Sequence, residues 1–138
     1  MDCLFCKIVA GEIPSHKVYE DESVYAFLDI YPCSEGHVIV LPKKHFDRFN
    51  DMDEQSAATL FASVNRIAKV VEKTLGLEAM NIGINNGEIA GQTVPHVHVH
   101  IIPRREGDGG GNMHTIVELH PSTDKLPELA ERLSKAFE

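Results

Sequence analysis

Three histidines alternate with aliphatic residues near residue 100, and this alternation constrains the fold of the chain more than any other feature. The run consists of His96, Val97, His98, Val99, His100 and Ile101. Successive side chains of a β-strand point to opposite faces, so a strand places the three imidazoles on one face and the aliphatic side chains on the other. Because buried imidazoles without partners cost desolvation energy, the pattern predicts a histidine-lined cleft above an aliphatic core.

Two chemistries are compatible with this histidine face. A metal centre is one, but the outer histidines lie about 13 Å apart along a straight strand, which makes it awkward for all three to converge on one zinc ion. Nucleophilic catalysis is the other, in which a neutral imidazole attacks phosphorus while its neighbours supply hydrogen bonds and an acid for the leaving group. The spacing favours His98, the middle histidine, as the nucleophile. The preceding Gly91 allows backbone amides to approach a phosphate.

Hydrophobic spacing along the rest of the chain predicts an α+β fold with a mainly antiparallel five-stranded sheet and one long helix. The long helix runs from an Asp53 cap to Leu75 and ends at Gly76. We expect a single domain, residues 1–138, made of a core (1–105), a glycine-rich loop (106–113) and a C-terminal strand and helix extension (114–138). The predicted strands are residues 18–20, 24–29, 37–41, 80–85 and 94–102, and the predicted shorter helices are residues 3–10 and 126–137.

Composition and charge exclude several classes of protein. The formal net charge is −8, whereas nucleic-acid binding needs a basic surface, so we expect no nucleic-acid partner. No apolar run approaches the roughly 18 residues that a membrane span needs. The N-terminus lacks the pattern of a secretory signal, and three cysteines, an odd number, argue against a disulfide framework. These features predict a cytoplasmic protein without a membrane partner.

The segment GQTVPHVHVHII at residues 91–102 resembles the signature of the histidine triad (HIT) superfamily. Four further segments agree with that family in order and spacing, and the resemblance covers about residues 2–105. These segments are CLFCKI (3–8), FLDI (27–30), GHVIV (36–40) and PKKH (42–45). The resemblance implies a HIT-like fold that forms a homodimer with a continuous sheet, and a nucleotide hydrolase that works through a nucleotidyl-histidine intermediate.

The resemblance also implies roles for individual histidines. His98 matches the nucleophile that takes the nucleoside monophosphate, with a backbone carbonyl as its orienting partner. His100 matches a histidine that contacts the phosphate. His37 matches a fourth histidine beside the triad, and His96 completes the catalytic group.

The substrate-binding residues follow from the same comparison of motifs. Asp29 matches the carboxylate that accepts hydrogen bonds from the ribose hydroxyls. Gln92 and Thr93 match polar contacts to the phosphate or leaving group, and Asn85 matches a residue near the phosphate or ribose. The apolar slot for the base is matched by Phe5, Ile8, Phe27, Leu28 and Ile30.

The two cysteines near the N-terminus admit three interpretations: half of a zinc site, a redox pair, or packing residues of the first helix. A redox pair usually lies in a βαβ context, which is missing here, and two cysteines need two more ligands for tetrahedral zinc. Some bacterial-type members of the resembling family use two such cysteines with two histidines. The resemblance therefore implies a structural zinc ion held by Cys3, Cys6, His45 and His96, which would remove His96 from the catalytic group.

The expected substrate is a purine nucleotide, an AMP or GMP derivative cleaved at the α-phosphate, as in the phosphoramidases of the Hint-like branch. Three alternatives stay open. The protein could hydrolyse dinucleoside polyphosphates like the Fhit-like branch, bind nucleotides as an adaptor with little turnover, or use the triad as ligands of a zinc-water hydrolase. No role is predicted for Cys33, His114 or His120.

Overall fold

Five antiparallel strands form one sheet, in the order β1-β2-β3-β5-β4. The structure is a computed structural model that describes residues 2–138. The sheet confirms the fold class and the strand count expected from the sequence. Its strands are β1 (Lys17–Glu20), β2 (Val24–Leu28), β3 (Val38–Pro42), β4 (Ala79–Gly83) and β5 (Val99–Arg104).

Three α-helices accompany the sheet: α1 (Leu4–Val9), α2 (Glu54–Leu75) and α3 (Leu126–Lys135). The Asp53 side chain accepts a hydrogen bond from the first turn of α2, and Gly76 ends that helix in the left-handed conformation, as the sequence predicts. Single 3₁₀ turns lie at Phe49–Asp51, Glu88–Ala90 and Met113–Thr115. No helix among the described residues is long and apolar enough to cross a bilayer.

Both faces of the sheet are covered, and β2 shows how the sequence achieves this. Val24 and Ala26 point to the face covered by α2, whereas Tyr25 and Phe27 point to the face covered by Phe5 of α1. Because these neighbours alternate along the strand, β2 is apolar at every buried position. The face shared with α1 is also the face on which the histidines lie.

The histidine strand begins later than the sequence predicts. β5 starts at Val99 rather than at residue 94, and it continues through Pro103 to Arg104. Pro95 has no N–H group, and the Val97 N–H donates to the Phe46 carbonyl at 2.8 Å, so pairing with β3 begins only at Val99. His96 and His98 therefore lie in the segment that precedes the strand, where His96 is part of a bend.

The chain forms two compact units, one ending at Asp108 and the other comprising Gly109–Glu138. The strand predicted within residues 114–138 is absent from this second unit, whose regular structure is one 3₁₀ turn and α3. Residues 116–119, which include three apolar side chains, have no neighbouring strand within the unit with which to form the backbone hydrogen bonds of a sheet. The apolar side chains of α3, such as Leu129, are exposed.

Gly36, in the turn before β3, supports a stability prediction. Its φ of +90° disfavours L side chains, and a Cβ atom here would press against Leu75 and meet Pro103 at 3.4 Å. We expect Gly36→Ala to lower the free energy of unfolding by about 1–3 kcal/mol, measured by urea denaturation. Gly11→Ala is the control, since Gly11 has a similar φ of +82° but a Cβ atom added there would have no contacts within 4 Å. Equal decreases in the free energy of unfolding for the two variants would show that contacts with Leu75 and Pro103 add nothing to the cost of a side chain at Gly36.

Candidate active site and metal-binding group

The histidines of the alternating run divide between two groups of side chains. His96 joins two cysteines and His45, whereas His98 and His100 lie together, with their ring centroids 5.0 Å apart. His100 also joins Asp29 and His37 in the second group. The three histidines that look equivalent in the sequence therefore have different partners.

His98 is fixed in one tautomer by a backbone contact. Its Nδ1 lies 2.7 Å from the carbonyl oxygen of His96, and because a carbonyl only accepts, Nδ1 carries the proton. Burial lowers the pKa of His98, against the opposing effects of this hydrogen bond and of the Asp29 carboxylate. The ring is therefore neutral at neutral pH, with a lone pair on Nε2. This is the arrangement that a nucleophilic imidazole requires.

Phe5 of α1 packs against the nucleophile candidate. The centroids of the Phe5 and His98 rings are 4.9 Å apart at an interplanar angle of 86°, and the centroids of Phe5 and Phe27 are 5.7 Å apart. Edge-to-face contacts of this kind stabilise the orientation of a ring. The short helix α1 thus positions His98 through an apolar contact.

The five apolar residues predicted to hold the base differ in their exposure. Phe5, Ile8 and Phe27 are buried, whereas Leu28 and Ile30 have 38% and 67% of their surface exposed. Leu28 and Ile30 therefore present most of the accessible apolar surface of this group. The use of the set as a base slot stays a prediction.

His37 and His100 form a hydrogen-bonded pair beside Asp29. His37 Nε2 lies 2.9 Å from His100 Nδ1 and 3.6 Å from an Asp29 carboxylate oxygen, and the Cys33 N–H donates to His37 Nδ1 at 3.1 Å. Burial, with repulsion from His98 and His37, lowers the pKa of His100 to about 4. Burial also lowers the pKa of His37, although Asp29 opposes this shift. Both rings are neutral at neutral pH.

Asp29 follows β2 directly and keeps acceptor capacity. One carboxylate oxygen accepts the Tyr31 N–H at 2.8 Å, and the other faces His37. Each carboxylate oxygen has two lone pairs, so Asp29 can still accept hydrogen bonds from hydroxyl groups. This is the property that a ribose contact requires.

Cys3, Cys6, His45 and His96 form a compact group whose ligand atoms all lie within 4.8 Å of one another. The Nδ1 atoms of the two histidines are 3.2 Å apart, and three of the four sulfur–nitrogen distances are 3.3, 3.4 and 3.6 Å. In a tetrahedral site with zinc–sulfur and zinc–nitrogen bonds of ordinary length, the nitrogen–nitrogen and sulfur–nitrogen edges are about 3.3–3.6 Å. The spacing of these residues therefore fits a tetrahedral metal ion.

The outer nitrogens of the two histidines strengthen this interpretation. His96 Nε2 donates to the Pro42 carbonyl at 2.8 Å, and His45 Nε2 contacts the Asp47 carboxylate at 2.6 Å. Both protons thus lie on Nε2, so the two Nδ1 lone pairs face each other inside the group, where a cation would relieve their repulsion. Without a cation, burial and the hydrogen bond to Cys3 raise the pKa of the Cys6 thiol to about 11.

Asp29, His37 and His100 also bring three possible ligand atoms together, but their hydrogen bonds do not fit a metal. The Nδ1 lone pair of His37 accepts the Cys33 N–H, so its Nε2 carries a proton and has no lone pair for a cation. Of the two groups, only the one with the cysteines directs a lone pair inward from both of its histidines.

The Gln92 side chain forms hydrogen bonds with backbone groups of its own loop and of Asp47, and its contact to a phosphate stays a prediction. Its Oε1 accepts the Gly87 N–H at 2.8 Å, and its Nε2 donates to the carbonyls of Asp47 and Val94 at 2.6 and 3.0 Å. Both amide protons are therefore committed to the backbone. Gln92 would have to give up these bonds before donating to a phosphate, whereas the neighbouring Thr93 is exposed.

A cleft of about 630 Å³ lies beside this loop. Thr93 forms part of its wall, and Asn85 lies against Gly91, another residue of the wall. The contacts of Thr93 and Asn85 to a ligand stay predictions. The cleft is lined by Asp47, Arg48, Gly87, Glu88, Gly91, Gln92, Thr93 and Pro95.

Three partners of the site residues are missing from the sequence-based prediction. The Pro42 carbonyl and the Cys33 amide are backbone groups, which carry no sequence signal. Asp47 could have been found, because metal-binding histidines commonly donate their other ring N–H to a carboxylate, and Asp47 lies two residues after His45. Cys33 has an exposed free thiol, and its amide rather than its sulfur contacts the site.

Comparison with known proteins agrees with this geometry. The sequence profile of the HIT domain matches residues 10–107. The chain belongs to the HIT family. It is 48% identical to protein hit of Bacillus subtilis over 99% of this chain and 92% of that protein. It is 37% identical to a Candida albicans protein named adenosine 5'-monophosphoramidase HNT1, over 96% of this chain and 90% of that protein.

A solved structure shows the same fold. The crystal structure of SMU.412c from Streptococcus mutans UA159 matches with a TM-score of 0.90 and 47% sequence identity, covering 99% of this chain and 86% of that chain. The family assignment inferred from the histidine motif is thereby confirmed.

Proposed function

We propose that this HIT protein hydrolyses nucleoside phosphoramidates and related nucleoside phosphates at the α-phosphorus through a nucleotidyl intermediate on His98. The observation that carries the proposal is the 2.7 Å contact between His98 Nδ1 and the His96 carbonyl, which leaves the Nε2 lone pair available for attack. A Candida albicans relative named adenosine 5'-monophosphoramidase supports the choice of substrate class.

The reaction consists of two displacements at phosphorus. In the first, His98 Nε2 forms a bond to the α-phosphorus while the bond to the leaving group breaks, and the leaving group takes a proton from solvent as it departs. In the second, a water oxygen bonds to phosphorus and releases a proton to solvent, the nitrogen–phosphorus bond breaks, and the nucleoside monophosphate leaves. His98 returns to its neutral form with the proton still on Nδ1.

The surrounding residues have separate tasks in this scheme. His100 donates a hydrogen bond to a phosphoryl oxygen, whose negative charge grows during attack. Asp29 accepts hydrogen bonds from the ribose hydroxyls, and the exposed surfaces of Leu28 and Ile30 contact a purine base. The base can be adenine or guanine in this scheme.

We propose zinc as the ion of the group formed by Cys3, Cys6, His45 and His96. Two thiolates and two imidazoles are the donor set of structural zinc, and four protein ligands leave no position for water or substrate. The ion would link α1 to the segment after β3 and to the histidine run, and would therefore contribute to folding.

The four protein ligands and the oriented His98 ring also bear on the alternative functions considered from the sequence. A zinc-water hydrolase needs an open coordination position, which four protein ligands do not provide. An adaptor does not require the oriented lone pair of His98. Dinucleoside polyphosphate hydrolysis uses the same nucleophile and differs only in the leaving group, so it remains the second candidate activity.

Assembly and location stay predictions. β1 and β4 lie at the two edges of the sheet, and in the expected homodimer a second copy would extend the sheet through one of them. The net charge of −8 supports the expectation of no nucleic-acid partner. We retain the cytoplasm as the expected location.

Replacing the nucleophile tests the proposed activity. We expect His98→Ala to lower kcat for adenosine 5'-phosphoramidate by at least about 10⁴-fold, because the variant has no group that can form the intermediate. His16→Ala is the matched control, since His16 is exposed and lies outside both groups. Turnover by His98→Ala within tenfold of the unaltered protein would exclude the nucleophile role.

Metal analysis tests the zinc proposal. We expect one zinc ion per chain in protein purified without chelators, and loss of that ion together with a lower Tm in Cys3→Ser, because one of the four ligands is removed. Cys33→Ser is the control, since the Cys33 thiol lies outside the group, and it should retain the ion and the Tm. A metal-free protein with unchanged Tm would contradict the proposal.

A further inference from the structure

We propose that His37 is a positioning residue that fixes the proton of His100 on Nε2, with the backbone amide of Cys33 setting the direction. This inference rests on the proposed function for its catalytic consequence, but the proton positions themselves can be measured without any substrate. It assigns His37 to a role that acts through His100 rather than through contact with the nucleotide.

The first step is the tautomer of His37. The Cys33 backbone N–H is a donor and cannot accept, so the His37 Nδ1 atom, 3.1 Å away, must present its lone pair. A neutral imidazole has one protonated nitrogen, and the proton of His37 therefore lies on Nε2. The backbone N–H of His37 also donates to the Ser34 carbonyl at 3.2 Å, and this hydrogen bond closes the turn that brings the Cys33 amide to the ring.

The second step transfers this constraint to His100. His37 Nε2–H has two acceptors nearby, His100 Nδ1 at 2.9 Å and an Asp29 oxygen at 3.6 Å, and only the first is within ordinary hydrogen-bond distance. His100 Nδ1 therefore accepts, which leaves the proton of His100 on Nε2. The reverse arrangement would put a proton on His37 Nδ1, facing the Cys33 N–H, where two hydrogens would meet.

The Nε2 atoms of His98 and His100 are thus opposite in hydrogen bonding, one an acceptor and the other a donor. His98 offers a lone pair on Nε2, because its Nδ1–H is held by the His96 carbonyl. His100 offers an N–H, because His37 occupies its Nδ1. With ring centroids 5.0 Å apart, a nucleophile lies beside a donor suited to a phosphoryl oxygen.

The environment of His37 supports this role. The side chain is 3% exposed and lies at the start of β3, with His100 on the neighbouring strand β5. The left-handed Gly36 allows the turn from Cys33 to His37 to fold back over the ring. The structure thus holds a buried polar ring with a donor on one side and an acceptor on the other.

Nitrogen-15 NMR of the metal-loaded, ligand-free protein tests the proton positions directly. Long-range proton–nitrogen spectra distinguish a protonated ring nitrogen from an unprotonated one. We expect His37 and His100 to carry the proton on Nε2, and His98 to carry it on Nδ1. A proton on Nδ1 of either His37 or His100 would overturn this inference, whereas a proton on Nε2 of His98 would instead overturn the proposed function.

Two variants test the catalytic consequence. His37→Gln keeps an N–H donor near the position of Nε2 and should retain kcat within about tenfold, whereas His37→Leu has no donor and should lower kcat by about 10²–10³-fold with little change in KM. Thermal unfolding of both variants measures their folded fraction. Equal kcat values for folded His37→Gln and His37→Leu would overturn the positioning role, while loss of activity in His98→Ala would still support the nucleophile.

Discussion

The backbone carbonyl of His96 accepts the Nδ1–H of His98 at 2.7 Å, and the imidazole of His96 belongs to the cysteine-containing group. His96 also donates from Nε2 to the Pro42 carbonyl, at the end of β3. Three parts of the structure therefore meet at one residue: the central sheet, the metal-binding group and the nucleophile. Any movement of the His96 backbone would turn the His98 ring, so the site depends on how firmly His96 is held.

Burial and hydrogen bonding together give chemically similar rings different functions. Burial lowers the pKa of His37, His96, His98 and His100, which keeps them neutral, and a neutral imidazole has one donor and one acceptor nitrogen. The partner of one nitrogen then decides what the other presents. Backbone carbonyls hold one ring proton each of His96 and His98, so the other ring nitrogen of each presents a lone pair. At His37 a backbone amide holds the lone pair instead, and His100 consequently presents an N–H.

The sequence predicted those features that depend on side-chain periodicity. The alternating histidines indicated one shared face, and the helical spacing before Gly76 predicted α2 with its Asp53 cap. Features that depend on backbone partners were not predictable. The strand begins at Val99 because the Val97 amide is bonded elsewhere, and Gln92 is held by backbone groups that no sequence pattern reveals.

The central claim is a covalent nucleotidyl intermediate on Nε2 of His98. Rapid acid-free quenching of the protein during turnover of adenosine 5'-phosphoramidate, followed by peptide mass spectrometry, measures it most directly. The account predicts an adenylyl adduct on the peptide that contains the histidine run, located on His98, stable to base and labile to acid. An adduct located on His96 or His100, or turnover at full rate with no adduct detectable at any quench time, would contradict it.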